Sequence, residues 1–430
     1  MRDIDKTTAV CPDCLRELPA ILYEDDNRVW MRRTCPEHGE FKSYIWPDFD
    51  HYSWIMDQEL PKVAPQNTIA RTKACPLGCG TCSRHERKQT LLEIEVTQAC
   101  NLRCPVCFMS ADNHKHDPTL EEIGIMYETI KSAAGVDGAV QLTGGEPTMR
   151  KNLAEIIKMG RDKGFWGIEL NTNGLIIATR DGYLEELVEA GLTGVYLSFD
   201  GLTSEVYEAT CGRDILKQKL RAVERCREAN IQVVLATTVI KGLNDQQLGD
   251  LLKFALDNID VVAGLALQPA FTSGRFDAEH LPLTMGDVIF ELAEQSDGIL
   301  EPHDIWSLGC AHPLCDTGTL LIANKDNPQS YEAITRHITH DDFKARFNPS
   351  SPQGSVFFDI AEDLQLDYSR SLSLIIMNYM DAYNLDTQRL RECSMSVAMP
   401  NGNIIPFCAY HLTNSQGKRV YPPWMKAHLA

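Results

Sequence analysis

Cys100, Cys104 and Cys107 stand at C-x3-C-x2-C spacing within Thr97-Gln98-Ala99-Cys100-Asn101-Leu102-Arg103-Cys104-Pro105-Val106-Cys107-Phe108. A 4Fe-4S cluster ordinarily takes four thiolates, so three on one short loop fill three irons and leave the fourth open to another ligand. The triplet alone also suits part of a zinc site or a four-cysteine electron-transfer cluster. Gly144-Gly145-Glu146-Pro147 follows 37 residues after Cys107, directly behind the apolar run Ala139 to Leu142. Two residues without Cβ let backbone approach a ligand closely, and Glu146 supplies a carboxylate for an ammonium group.

Three further sets of metal-type ligands flank this pair. Cys11-Pro-Asp-Cys14 and Cys35-Pro-Glu-His38 form two knuckles with a twenty-residue spacer, which has room for a hairpin through Ile21 to Tyr23 and Arg28 to Met31. Four such ligands suit one tetrahedral ion, zinc or a rubredoxin-like mononuclear iron, and His38 in place of a fourth thiolate favours zinc in a stapling role. Cys75-Pro-Leu-Gly-Cys79-Gly-Thr-Cys82 repeats the C-x3-C-x2-C spacing but follows no strand-like run. It reads as an auxiliary iron-sulfur site that needs a fourth ligand from elsewhere, with zinc as the alternative. Cys310-Ala-His312-Pro-Leu-Cys315, Cys393 and Cys408 form the last set. They can complete a second auxiliary cluster, or one of them can close the Cys75 set. His312 and His411 suit ordinary second-shell donors. Cys211 suits a fourth ligand or a radical-quenching thiol, whereas Cys226, on an apolar helical face, suits the core.

The elements that must position these groups alternate from Leu91 to about Gln268. Strand patterns cover Leu91 to Thr97, Ala139 to Thr143, Gly167 to Asn171, Gly194 to Phe199, Ile231 to Val239 and Val261 to Gln268. Helical patterns fill the gaps near Leu120 to Ser132, Leu153 to Lys163, Gly182 to Ala190, Ile215 to Ala229 and Gln247 to Asp257. Six βα units predict an α/β fold whose parallel sheet curls into a partial (β/α)6 TIM-like barrel. Reactive groups in such barrels gather at the C-terminal strand ends, where Cys100, Gly144, Asn173, Ser198, Asp200, Thr238 and Gln268 fall. Tyr44 to Gln66 reads as a linker that packs aromatics onto a neighbour, and Ser371 to Tyr383 as an amphipathic helix. The expected organisation is a zinc-ribbon or rubredoxin-like module with its linker over 1–66, an auxiliary cluster segment over 67–90, the barrel over 91–275 and a C-terminal cysteine-rich iron-sulfur region over 276–430.

A three-cysteine loop after one strand and GGEP after the next resembles the radical S-adenosylmethionine (SAM) superfamily. Leu-Thr-Gly-Gly-Glu-Pro-Thr, Asn-Thr-Asn-Gly (171–174), Leu-Ser-Phe-Asp-Gly (197–201), Thr-Val-Ile-Lys-Gly-Leu-Asn-Asp (238–245) and Leu-Gln-Pro-Ala-Phe (267–271) together resemble one subgroup of it. That subgroup contains archaeal tetraether synthase and related enzymes once assigned as dihydropterin methyltransferases. The CPDC and CPEH knuckles and the Cys75 triplet resemble it too, so the likeness covers most of residues 1–275. It implies that Cys100, Cys104 and Cys107 hold a 4Fe-4S cluster whose open iron chelates SAM, and that an electron cleaves SAM to a 5'-deoxyadenosyl radical. By family role Glu146 binds the SAM ammonium, Ser198 and Asp200 the ribose or carboxylate side, and Thr238 to Gly242 the adenine, and Gly144, Gly145, Pro147 and Asn173 belong to the same cofactor-binding set. Val106 departs from the aromatic that many members carry beside the last cysteine, which leaves an adenine contact by backbone only or by Phe108 in its place.

Composition bounds the partners. The chain has 430 residues, with 41 basic against 60 acidic side chains and a formal net charge of −19, which disfavours nucleic acid held through its phosphates. No run reaches about 18 apolar residues and the first residues lack the apolar core of a signal peptide, so a cytoplasmic protein without a transmembrane segment is expected. Fifteen cysteines in such a setting point to metal rather than disulfides. The resemblance implies about three 4Fe-4S clusters, one zinc or mononuclear iron, and an electron donor such as ferredoxin or flavodoxin. It further implies hydrogen abstraction from an unactivated carbon of a small-molecule or lipid-chain substrate, then C–C (tetraether-synthase-like) or C–S bond formation helped by auxiliary clusters. Methyl transfer to a reduced pterin and sulfur insertion are the alternatives. A non-catalytic multi-cluster electron-transfer protein is the alternative of another class, and it would not need Gly144 to Pro147 or Asp200.

Overall fold

The computed structural model describes the chain except for residues 67, 69–72, 112–116, 277–282, 325–326, 328–329, 350–354 and 422–430. Four strands open it, β1 (Arg2–Val10), β2 (Glu17–Asp25), β3 (Arg28–Cys35) and β4 (Gly39–Trp46), paired antiparallel in chain order. β2 and β3 are the hairpin expected in the knuckle spacer. The stretch read as a linker is ordered instead: β4 completes the sheet, and a helix, Phe49–Met56, starts at Asp48, whose carboxylate accepts from the His51 N–H. Its aromatics do pack onto a neighbour. Trp46 lies so close to Gly286 of the helix Met285–Gln295 that a Cβ there would come 2.7 Å from the indole.

Six parallel strands then build the barrel: β5 (Leu91–Thr97), β6 (Ala139–Gly144), β7 (Gly167–Thr172), β8 (Gly194–Ser198), β9 (Val233–Val239) and β10 (Val262–Pro269). Helices such as Leu120–Ala134, begun by a reciprocal cap between Thr119 and Glu122, cover the outer face. The strands alternate in a way that a parallel sheet covered on both faces would not. Leu92, Ile94, Leu142, Ile168, Leu170 and Leu235 face the helices and are buried in the main core. The intervening residues face a cavity inside the curl, and many are polar.

The C-terminal region extends this same sheet at both edges. β14 (Ser371–Met377) pairs parallel with β10, and β12 (Asp316–Ala323) runs antiparallel to β14 and carries β11 (Trp306–Ser307) and β13 (Tyr331–Ala333). At the other edge β15 (Met395–Ala398) pairs parallel with β5, and β16 (Ile404–Pro406) closes a hairpin on β15. The expected helix over Ser371 to Tyr383 is therefore a strand and the turn after it: Leu372, Leu374 and Ile376 repeat every second residue and are fully buried. Among the described residues β14 and β15 do not pair, so the barrel stays open along that seam. The N-terminal sheet docks beside it, with the Arg33 guanidinium donating to the Tyr383 carbonyl at 2.6 Å and the Thr7 hydroxyl to Asp386 at 2.7 Å.

Candidate active site

The loop after β5 carries Cys100, Cys104 and Cys107, and it is held from two sides by backbone. On one side the Gly145 N–H donates to Thr97 O at 2.9 Å and the Glu146 N–H to Ala99 O at 2.8 Å. Gly144 has φ +136°, and a Cβ there would stand 2.1 Å from Thr97 O; one on Gly145 would stand 2.4 Å from Ala99 O. The two glycines thus serve a close approach between loops, and both also border the cavity inside the curl. On the other side the Arg275 N–H donates to Cys107 O, and the Arg275 guanidinium to Cys104 O and Ala111 O, at 3.0, 3.1 and 2.7 Å.

Glu146 is saturated in this setting. One carboxylate oxygen accepts from the Thr148 N–H, the Thr148 hydroxyl and the Thr172 hydroxyl, and the other from the Asn173 N–H at 2.7 Å. The carboxylate expected to meet an ammonium is first of all the knot that joins the ends of β6 and β7. Lys219, which sequence reasoning missed, plays a similar part at the next strands. Its fully buried ammonium donates to Asn173 O at 2.9 Å and Ser198 O at 2.7 Å, and burial holds its pKa below the usual lysine value. Nothing in the helix Leu216–Glu228 distinguishes this lysine from the solvated ones around it. Asp200 accepts from the Thr238 N–H at 3.0 Å, and burial raises its pKa.

Cys100, Cys104, Cys107, Gly144, Gly145, Glu146, Asn173, Ser198, Asp200 and Thr238 all border one cavity of about 420 Å³. Pro147 and Gly242 do not. Gly242 sits in a turn with φ +75° and donates to Asp245 at 3.0 Å. Val106 and Phe108 both reach the cavity, and Phe108 packs on Phe271 and Phe407, ring centroids 5.7 Å away in each case. Cys211 also borders it, within hydrogen-bonding reach of Cys104, which lowers the pKa of Cys211 and raises that of Cys104.

Deeper in the barrel the cavity floor is polar. Parallel register sets Glu93 beside Gln141 and Gln141 beside Glu169, one row across three strands, with Asn171 two residues further along β7. The Gln141 amide donates to Glu169 at 3.0 Å and accepts from the Asn171 amide at 3.1 Å. Burial pushes the Glu93 carboxyl up to about 8, helped by Glu95, and the Glu95 carboxyl to about 7. A neutral Glu93 at pH 7 can donate as well as accept. None of these residues stood out in the sequence, although Leu-Leu-Glu, Ala-Val-Gln and Gly-Ile-Glu each place the polar group third in its strand.

The other ligand sets fall as follows. Cys11, Cys14, Cys35 and His38 bring their ligand atoms within 4.8 Å of one another, with Cys11 Sγ and Cys35 Sγ 3.5 and 3.4 Å from His38 Nδ1 and Cys14 Sγ 4.0 Å from Cys35 Sγ. Zinc bonds of about 2.3 Å to sulfur and about 2.0 Å to nitrogen give tetrahedral edges of roughly 3.5–3.8 Å, so this constellation fits one ion. Cys315, Cys393 and Cys408 border a second, smaller cavity, whereas Cys310 is buried off that lining. This cavity lies at the seam, between Met377 at the end of β14 and Leu91 and Met395 at the starts of β5 and β15. Leu91, Met377, Tyr379, Met395 and Phe407 border both cavities, so one layer of side chains separates them. Cys79 hydrogen-bonds Cys75 and feels the charge of Cys82 and of Cys393, and Cys393 in turn that of Cys408 and Cys315. Cys393 thus stands between the two auxiliary sets, positioned there by the His85 ring against its carbonyl at 2.8 Å.

Residues 94–255 match the radical SAM superfamily, and residues 3–47 match the HMPTM N-terminal zinc ribbon domain. The 7,8-dihydro-6-hydroxymethylpterin dimethyltransferase of Methanocaldococcus jannaschii is 31% identical over 96% of this chain and 94% of its own length. A probable GTP 3',8-cyclase of Pyrococcus abyssi is 36% identical over 40% of this chain and 55% of its own length. Among solved structures, Streptococcus suis SuiB bound to S-adenosylmethionine covers 75% of this chain and 60% of its own, with a TM-score of 0.45 and 12% identity. No helix of the described residues is long and apolar enough to cross a membrane.

Proposed function

Because this chain belongs to the radical SAM superfamily and is an enzyme of it, we propose that it forms a new bond at an unactivated carbon of a compact, polar-edged heterocycle lodged in the barrel. When bound, a 4Fe-4S cluster and SAM supply the 5'-deoxyadenosyl radical that removes a hydrogen atom. Cys100, Cys104 and Cys107 are the thiolates for that cluster. The loop of Gly144, Gly145, Glu146 and Pro147 braces it, and Asn173, Ser198, Asp200 and Thr238 border the space for SAM. An electron donor of ferredoxin or flavodoxin type serves as reductant.

One observation carries the choice of substrate. The cavity that begins at the three thiols ends on Glu93, Gln141, Glu169 and Asn171, where a purely aliphatic substrate would leave Asn171 Oδ1 without a partner and Glu93 with only a long contact. The relative along nearly the whole chain bears a pterin in its name, and methyl transfer to a reduced pterin suits such a floor. The coupling or sulfur-trapping of an aliphatic chain is the second reading, favoured by Phe271, Phe276, Ile375, Met377 and Phe407 on the walls above. In both readings the auxiliary cysteines serve substrate or sulfur handling.

The test is anaerobic reconstitution followed by reduction with SAM and 7,8-dihydro-6-hydroxymethylpterin. The pterin should accelerate 5'-deoxyadenosine formation above the uncoupled rate and yield a heavier pterin by mass spectrometry. Acceleration by an isoprenoid lipid alone would give the aliphatic reading first place, and no 5'-deoxyadenosine under any condition would refute both.

A further inference from the structure

We propose that Glu93, Gln141, Glu169 and Asn171 form a recognition floor for an uncharged planar ring, gripped along an edge that presents N–H donors next to a carbonyl. This deepens the reading above and rests on it. The first argument is placement. Register across β5, β6 and β7 aligns the first three in one row, and Asn171 stands one inward position on. All four border the cavity, and their strand neighbours Leu92, Ile94, Leu142 and Leu170 point the other way into the core.

The second argument is hydrogen-bond accounting. Buried polar atoms in folded proteins almost always have partners, so those without mark a place for a ligand or water. The Asn171 amide nitrogen is used by Gln141 and, at a long 3.4 Å, by Glu93, but its Oδ1 is buried with no partner. Glu93, with 5% of its surface exposed, receives nothing shorter than that contact. The floor therefore offers acceptor oxygens from Glu93 and Asn171 side by side, stiffened by Gln141 and Glu169, which bond each other at 3.0 Å. An amino group and a ring N–H at adjacent positions match two such oxygens. A neutral carboxyl on Glu93 can in addition donate to a ring carbonyl.

The third argument is charge. Among the described residues that line the cavity Arg275 is the only cation, and its guanidinium donates to Cys104 O and Ala111 O beside the three-cysteine loop, away from the floor. Among the described residues the floor holds no cation, so a phosphate placed there would be buried without a counterion. The floor thus suits the ring rather than a phosphate, and Met377 and Met395 supply soft faces for the ring.

The experiment is equilibrium binding to the anaerobic, reconstituted enzyme, with pterin, lumazine and guanosine triphosphate as probes. Lumazine carries a carbonyl where pterin has its 2-amino group, and an N–H at N1 where pterin has a bare ring nitrogen, so it keeps the N3–H but lacks the amino donor beside it. The wild-type enzyme should bind pterin at least about tenfold more tightly than lumazine, because a site built to hydrogen-bond a donor rejects the analogue that lacks it. Guanosine triphosphate should bind more weakly than pterin. Glu93→Leu, which removes both side-chain oxygens where a glutamine would keep an acceptor and a donor, should shrink the pterin preference to about threefold or less, in protein whose iron content and circular dichroism match wild type. Equal binding of pterin and lumazine by the wild type would overturn the proposal without recourse to any variant, as would an undiminished preference in a folded Glu93→Leu. An enzyme that shows the preference yet cleaves no SAM would refute the radical chemistry and leave the floor standing.

Discussion

The backbone N–H of Glu146 donates to the carbonyl of Ala99 at 2.8 Å, one residue before the first cysteine of the cluster loop. This bond and its neighbour from Gly145 to Thr97 make the loops after β5 and β6 one rigid unit, so the three thiols and the GGEP turn at the cavity are positioned together.

Gly145→Ala should break that unit. The added methyl would lie 2.4 Å from Ala99 O and 2.6 Å from Gln98 O, contacts with backbone that cannot rotate away. Iron analysis after reconstitution should show loss of about four irons per chain, by the stoichiometry of one 4Fe-4S cluster. SAM-dependent 5'-deoxyadenosine formation should fall with it, by at least about a hundredfold, because the cluster is the electron source. Full iron content with full SAM cleavage would show that the loops part freely.

Glu146→Ala should cost stability before it costs affinity. It would strand the Thr148 N–H, the Asn173 N–H and two hydroxyls in a buried setting. Unpaired buried donors of this kind cost about 1–3 kcal/mol each, with relaxation recovering part, so a net loss of about 2–4 kcal/mol is expected. Thermal unfolding of the metal-loaded protein should drop by several degrees. A variant of unchanged melting temperature and weakened SAM binding would restore the simpler role of an ammonium ligand.

The barrel was legible because its outward faces carry the apolar residues that strands and helices share. Leu92, Ile94, Leu142 and Leu170 mark their strands unaided. The same logic was available at Ser371 to Met377, where Leu372, Leu374 and Ile376 alternate, but the aliphatic residues between them also satisfied a helical reading. The cysteine loops and the GGEP turn were legible because few residue types bind iron or tolerate such close backbone. The floor was not. Glu93, Gln141 and Glu169 are separated by 48 and 28 residues, and only strand register makes them neighbours. Lys219 was hidden for the converse reason: a lysine on an amphipathic helix reads as solvated until the fold buries it.

Stability should fall as pH rises through the neutral range, and Glu93→Gln should remove much of that fall. Burial raises the Glu93 carboxyl from 4.5 to about 8. A group whose folded pKa is raised contributes its stability fully below the unfolded value and loses it as pH climbs to the folded value. The unfolded chain releases this proton near 4.5 while the folded one keeps it to about 8, so the loss accrues between those limits and levels off above. Glu95, raised to about 7, adds a similar loss in both proteins. The melting temperature of Glu93→Gln relative to wild type should therefore increase from pH 5 to 8 and then stay flat. A difference independent of pH would mean that Glu93 is not held neutral by its surroundings.

The second cysteine set lies across one layer of side chains from the barrel cavity, and its loss should separate radical generation from bond formation. Tyr379, Phe407 and Met395 border both the cavity of Cys393 and Cys408 and the barrel cavity. Cys393 and Cys408 lie outside the unit formed by the cluster loop, GGEP and Arg275, so a Cys393→Ala, Cys408→Ala variant should keep SAM binding and still make 5'-deoxyadenosine. It should lose about four irons by the stoichiometry of one cluster, or about eight if Cys393 also serves the Cys75, Cys79 and Cys82 loop that it approaches. Product formation should disappear, and a strong chemical reductant should not restore it. Rescue by the reductant would make the set an electron relay to the SAM cluster. Loss of all activities together with the fold would make it a structural staple, because removal of a folding metal site unfolds its surroundings. Retained SAM cleavage without product, beyond rescue, is the outcome that places these thiols in the handling of the substrate.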